Sequence, residues 1–478
     1  METTAAILLA TMTLVVLAEP REYDQCYSYE SDPYLLMGTK TAYQFVKGTD
    51  RLPSIPNCAP VQMWMLARHG TRYPSRKTMS QMQSLDRLRD QIIYNHDRRG
   101  NGRLCNPDLE KLRNWQAPMG SHNESIADFL TTPQGYEDMH LLAKRLQSYF
   151  PELLRLDPTT VDTQTYKFRG TKSERTMSSM DSFKEGLFNS KYAIPMDEQP
   201  YNETLLRLYK NCPIWESSLA RDNVDWESER FITINNTPYH ELLTNVSIRL
   251  GFNYRIKNDS VQLMYDMCRY EKTWTVDRLS TWCSVFTKEE MKVLEYLEDL
   301  DYYYYSGPGR DINAMLGCPL VQDMFNHFKE LEQGSSGNET KGIFYFGHTI
   351  TMQTLLAALG IGRDPDPIRA DNYHSKQDRN FRTSKLSSFA SNLVVIFYRC
   401  SDARSPNQVM FYLNEEPLQI EGCQVGLCPW EYLKQRFGGI VNGCSPEFCI
   451  SPNSSSNLQS HLNLIVLAIF LLGFIRSL

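Results

Sequence analysis

A chain of 478 residues that is 41% hydrophobic and 22% charged lies in the globular range and can bury a large core, which excludes collagen-like, coiled-coil and wholly disordered architectures. A net charge of −6 supplies no whole-molecule basic field for non-specific nucleic-acid binding. The length calls for two or three domains, or one large domain with an insertion, because single cores stop growing at roughly 250–300 residues.

In chain order, Met1–Ala18 carries an apolar run ending in a small residue before Glu19 and Pro20, the pattern of a secretory signal without a positive n-region. Twelve cysteines then run from Cys26 to Cys449 with no CxxC ladder followed by histidines. Disulfides in an oxidising compartment, up to six of them with the pairing open, are therefore expected over zinc. Sequons at Asn123, Asn202, Asn235, Asn245, Asn258, Asn338 and Asn453 fit luminal exposure. Short apolar runs at Val61–Ala67, Gln164–Phe168, Gly342–Phe346, Asn392–Tyr398 and Val409–Leu413 read as buried strands. Helical patterns cover Met79–Asn95, Tyr136–Tyr149, Ser178–Phe188, Lys288–Leu300 and Thr351–Leu359. The alternation predicts an α/β fold, a mainly parallel sheet flanked by helices, over residues 22–188 and 335–450. Residues 189–334, with helical periodicity and few convincing strands, read as an inserted smaller α-helical domain. The tyrosines Tyr302–Tyr305 within it are assigned to ordinary packing, since only one or two of four successive helical residues can face a cleft.

The tail repeats the signal-like order in reverse. Small residues in Ser451–Ser456 precede a polar spacer and a twelve-residue apolar run, Leu464–Ile475. Residues 451–478 thus read as a glycolipid-anchor signal rather than a membrane span, which needs about 20 apolar residues. The expectation is a protein of the secretory pathway, lipid-anchored at the outer face of the plasma membrane.

The sharpest chemical feature is Arg68-His69-Gly70-Thr71-Arg72-Tyr73-Pro74, directly after the first strand. The crevice beyond the carboxyl ends of parallel strands is where α/β sheets bind ligands. Burying a histidine between two arginines is costly without an anion, whereas Arg68 and Arg72 offer planar forks that match phosphate oxygens. His69, neutral and oriented through its second ring nitrogen, can attack phosphorus. His348 follows another strand and precedes a helix, so it belongs at the same sheet edge. Arg175, in Lys172-Ser173-Glu174-Arg175-Thr176, opens a helix after a third strand and points either into that crevice or to solvent. Arg76 and Lys77 stand close enough to His69 in sequence to bind additional phosphates, while Arg87, Arg89, Arg98, Arg99 and Arg103 read as a solvated face.

The heptapeptide resembles the signature of the histidine acid phosphatases, and its Thr-Arg-Tyr-Pro form resembles the multiple inositol polyphosphate phosphatase branch. Supporting matches run through most of the chain: Gly38-Thr39-Lys40-Thr41-Ala42-Tyr43, Glu174-Arg175-Thr176, Trp282–Phe286, Gly317–Leu320 and Phe346-Gly347-His348. The resemblance implies an α/β phosphatase domain with an inserted α-domain, a phosphohistidine intermediate on His69, and a clamp of Arg68, Arg72, Arg175 and His348. It also implies no metal or other cofactor, and small polyphosphate substrates such as inositol hexakisphosphate and 2,3-bisphosphoglycerate. One position departs. That branch reads His-Ala-Glu, the glutamic acid protonating the leaving alcohol, but this chain has His348-Thr349-Ile350. General acid catalysis contributes typically about 10²–10⁴-fold. Two replacements are open, a carboxylate from elsewhere such as Asp364 or Asp371, or a neighbouring substrate phosphate. The competing readings are a catalytically weak surface binding or adhesion protein and a phosphoglycerate mutase-like transferase.

Overall fold

The computed structural model describes residues 26–27, 33–49, 52, 54–117, 131–155, 161–190, 194–197, 203–235, 237–332, 339–401, 404–423 and 426–449. The signal and anchor segments and the sequons at 123, 202, 338 and 453 lie outside the described residues. Among the described residues no helix is long and apolar enough to cross a membrane.

Seven strands form one sheet: β1 (Cys58–Arg68), β2 (Tyr166–Gly170), β3 (Gly342–Gly347), β4 (Asn392–Cys400), β5 (Asn407–Leu413), β6 (Glu416–Pro417) and β7 (Leu427–Pro429). Their order is β2-β3-β1-β4-β5-β6, with β7 also on β5. The α/β class is as expected, but the sheet is mixed rather than mainly parallel. Only β2, β3 and β1 run parallel; β4 to β7 pair antiparallel. Connection length explains the change, because β4 and β5 are joined by the short segment 401–406 and a parallel return needs a crossover of a dozen residues or more. The β5–β6 turn is tighter still: Asn414 and Glu415, at φ 53° and 66°, supply the two left-handed residues of a two-residue hairpin.

Both sheet faces are covered, so the strands read as continuous apolar runs. Along β1, Trp64 and Leu66 enter one core while Met63, Met65 and Ala67 enter the other. The second core is roofed by the Pro133–Tyr149 and Glu174–Phe188 helices, which close up where Gly186 lies against the His140 carbonyl. The first lies under the Asp311–Lys329, Thr349–Ala358 and Trp430–Gly443 helices and continues without a break into Phe231, Tyr239, Met264 and Leu294. The described part of residues 189–334 is mainly helical, and much of its apolar side extends that sheet-facing core, while Leu208, Tyr209, Cys212 and Trp215 form a separate small cluster.

The periodic stretch Met79–Asn95 divides into Arg76–Met82 and Leu85–Asp97, and the helix expected over Lys288–Leu300 runs on to Tyr305 from a Thr287–Glu290 capping box. All twelve cysteines pair: Cys26–Cys105, Cys58–Cys400, Cys212–Cys449, Cys268–Cys283, Cys318–Cys444 and Cys423–Cys428.

Candidate active site

The parallel strands deliver the chemistry to one edge. Register pairs Arg68 at the end of β1 with Gly347 at the end of β3, and Gly170 of β2 with Phe346, so His69, His348 and Arg175 leave three neighbouring strand ends together. The backbone fixes the first: His69 N–H donates to the Gly347 carbonyl (3.1 Å), Ala390 N–H donates to the His69 carbonyl (3.1 Å), and Gly70 N–H donates to Ser179 Oγ (2.9 Å). Gly70 is required by close approach, since a Cβ there would collide with the Gly135 carbonyl at the start of the Pro133–Tyr149 helix.

The two imidazoles meet edge to face, ring centroids 5.7 Å apart and planes inclined at 66°. His69 Nδ1 lies 2.8 Å from its neighbour's carbonyl, Gly70 O, which can only accept. Nδ1 therefore carries the hydrogen and Nε2 presents its lone pair. Burial, then Arg68, Arg72 and Arg175, hold the His69 pKa well below its ordinary 6.5, so the ring is neutral in mildly acid solution as well as at neutrality. His348 is pushed down for the same reasons, burial first and Arg175 next. Its Nδ1 lies 3.3 Å from Arg175 Nη2, an obligate donor, which leaves Nε2–H to donate to Thr171 Oγ1 at 2.9 Å.

Arg68 is 2% exposed. Its Nη1 donates to the Thr39 and Ser387 carbonyls (2.5 and 2.6 Å), its guanidinium lies 4.6 Å from the Phe389 ring centroid, and its Nε has no hydrogen-bond partner among the described residues. Burial and the nearby Arg72 lower its pKa to about 9; burial, Arg72 and Arg207 lower that of Arg175 to about 10. Such crowding of like charge is what an incoming oxyanion relieves.

These five predicted residues line one open cavity of about 800 Å³. With them stand Lys40, Arg207, Lys210 and Arg269, so that, beside the two neutral histidines, seven arginine and lysine side chains face the carboxylates of Asp225, Glu298 and Asp301. The additional four were missed in the sequence. Lys40 alone had a signal, its place in the Gly38–Tyr43 match, and Gly38 there takes a left-handed φ of +55°. Arg76 and Lys77 open the Arg76–Met82 helix, are exposed, and are not among the residues lining the cavity. Tyr302 and Tyr305 do line it, so two members of the tyrosine run face the cleft, while Tyr303 is buried and Tyr304 donates to the Ile368 carbonyl.

Ile350 lines the cavity and rests on a small apolar cluster with Leu208, Tyr209 and Trp215. Neither substitute acid named above reaches it. Asp364 accepts the Asn380 and Phe381 amides, Asp371 accepts from Arg369, and neither lines the cavity. The one described grouping with metal-ligand spacing, Cys26, Cys105 and Asp108, has its two sulfurs joined in a disulfide.

A neutral histidine aimed from the carboxyl edge of parallel strands into a basket of arginines defines a phosphoryl-transferring enzyme of the histidine type. The chain belongs to the histidine phosphatase superfamily (branch 2), which it matches over residues 61–414, and it is a histidine acid phosphatase. It is 37% identical over 453 residues to multiple inositol polyphosphate phosphatase 1 of Drosophila melanogaster, covering 93% of each chain. Its fold is similar to that of the phytase from D. castellii (TM-score 0.70, 17% identity, 93% of each chain). It is also similar to that of a Bifidobacterium longum multiple inositol polyphosphate phosphatase in complex with inositol hexasulfate (TM-score 0.61, 14% identity, 84% of this chain and 97% of that one).

Proposed function

We propose that the enzyme removes phosphates from inositol polyphosphates, inositol hexakisphosphate foremost, with 2,3-bisphosphoglycerate as a smaller substrate of the same class. The observation that carries this reading is the surplus of charge: seven basic side chains line one cavity, more than a single phosphoryl group can engage. The Drosophila relative, a multiple inositol polyphosphate phosphatase by name, agrees with it. In this reading His69 Nε2 attacks phosphorus, the Arg68, Arg72 and Arg175 forks stabilise the charge that develops on the equatorial oxygens, and His348 orients Arg175. Lys40, Arg207 and Lys210 meet the phosphates that are not reacting, while the buried Arg269 is held by Asp266 and Glu298 behind them. The binding-protein alternative rests on Ile350 alone, and a neutral, aimed nucleophile speaks against it. Purified protein is expected to release inorganic phosphate from inositol hexakisphosphate, with none above background from His69→Ala; equal release by the two proteins would overturn the reading.

The same reading places the enzyme outside the cell. Six disulfides support an oxidising compartment, and the order of residues in 451–478 supports a glycolipid anchor. A phosphatidylinositol-specific phospholipase should therefore release it from intact cells. Retention on the membrane, with Leu464–Ile475 still present in the mature chain, would exclude the lipid.

A further inference from the structure

The Lys288–Tyr305 helix lays one face along the cavity, through Leu297, Glu298, Asp301, Tyr302 and Tyr305. At one end Glu298 accepts from Thr39, whose carbonyl receives Arg68. At the other, Tyr305 packs on the same apolar cluster as Ile350. Asp301 stands between these ends on the helix and lines the same cavity as His69, the arginines and Ile350. We propose that Asp301 has taken over proton delivery to the leaving oxygen, an assignment that rests on the inositol polyphosphate reading.

The bonds balance as follows. The His69 Nε2 lone pair forms the N–P bond, the P–O bond to the inositol carbon's oxygen breaks with its electrons going to that oxygen, and the Asp301 proton moves onto it. In the second half the Asp301 carboxylate takes a proton from water as water oxygen attacks phosphorus, and the N–P electrons return to Nε2.

Of the three cavity carboxylates, Glu298 is fully engaged by Thr39, Lys40 and Arg269. Asp301 instead faces Ser228 and Asp225 from the Trp226–Thr233 helix and its lead-in, Glu298 on its own helix, and Lys40 from the N-terminal segment. Burial, with like charge on Glu298 and Asp225, raises its carboxyl pKa to about 6 against the opposing pull of Ser228 and Lys40, so it holds a proton in mildly acid solution.

The test compares Asp301→Asn, Ile350→Glu and the double variant, as purified full chains, on inositol hexakisphosphate and on an aryl phosphate whose phenolate leaves without a proton. Asp301→Asn is expected to lower turnover of the inositol substrate about 10²–10⁴-fold while changing the aryl substrate only a few-fold. It should also abolish the decline in inositol turnover as pH rises through about 6. Ile350→Glu should restore inositol turnover in the double variant. Asp301→Glu, which keeps an acid, should keep the wild-type substrate ratio, and it decides the matter if the asparagine variant fails to fold. Full inositol turnover in Asp301→Asn, or proportional loss on both substrates with an unchanged pH profile, overturns the assignment. If wild type releases nothing from inositol hexakisphosphate, the substrate reading fails, and the same comparison on glycerol 2-phosphate, whose alkoxide leaves as poorly, still decides the role of Asp301.

Discussion

His69→Ala is expected to lower turnover on the order of 10⁶-fold on every phosphomonoester, aryl phosphates included, the scale of loss when a catalytic nucleophile is deleted. The imidazole is the group that forms the covalent bond, and the remaining clamp can only bind and polarise. Its loss should spare the fold. The His69 ring is buried, but it is a neutral group amid Arg68, Arg72 and Arg175, and among the described residues the one side-chain hydrogen bond it makes is to its own neighbour, Gly70. Thermal midpoints of wild type and variant should thus agree closely. Because the folded pKa lies below 6.5, wild-type kcat/KM should show no loss as pH falls through 6.5, where an unperturbed histidine would become protonated and cease to attack. Rapid quenching with a phosphate donor checks the covalent step: an acid-labile phosphoenzyme in wild type and none in the variant. A variant labelled as strongly as wild type would remove His69 from the role.

What could be read from the chain beforehand follows the range of the interactions. β1 and its heptapeptide were legible because a buried strand and an adjoining cluster of costly charges are contiguous in sequence. His348 and Arg175 were legible as strand-end residues, though only register joins their strand ends to that of β1. Strand direction was hidden, since a strand covered on both faces shows the same apolar run whichever way it points. Arg207, Lys210 and Arg269 were hidden for another reason: single cations on amphipathic helices look like solvated residues until the helices fold over the sheet edge. Tyr302 and Tyr305 left a usable trace, because their i, i+3 spacing places both on one helical face. Asp301 is one residue from Tyr302 and shares the cavity wall, yet a carboxylate in the run Glu298-Asp299-Leu300-Asp301 carries no distinguishing mark of its own.

Glu298→Gln is expected to cost about 3–5 kcal/mol of stability at pH 7, the scale for breaking a buried ion pair from one side. Glu298 ties three segments together. Its Oε1 accepts from Thr39 N–H (3.0 Å), the Thr39 hydroxyl and Lys40 Nζ (3.4 Å), and its Oε2 accepts from Arg269 Nη1. Glutamine keeps the shape but leaves Arg269, also buried, with Asp266 as its remaining carboxylate. The sign with pH is determined. Burial alone would raise the Glu298 carboxyl, but Arg269 and Lys40 outweigh it and hold the folded pKa well below 4.5. The unfolded carboxyl titrates near about 4.3, so the stabilisation is fully present above that pH and is lost as pH falls toward the folded value. The gap in thermal midpoint between wild type and Glu298→Gln should therefore be wide at pH 7 and narrow at pH 3; a gap that is constant across this range would mean that charge is not what Glu298 contributes. The catalytic consequence differs from that of Asp301→Asn. Thr39 carries the carbonyl that receives Arg68 Nη1, so a loosened Thr39 misplaces the clamp itself, where an error of about 1 Å can cost about 10²-fold. Phosphate binding precedes any question of leaving group, and kcat/KM for inositol and aryl phosphates should fall together in Glu298→Gln. Equal loss on both substrates here, beside selective loss in Asp301→Asn, would separate the carboxylate that holds the clamp from the one that moves the proton.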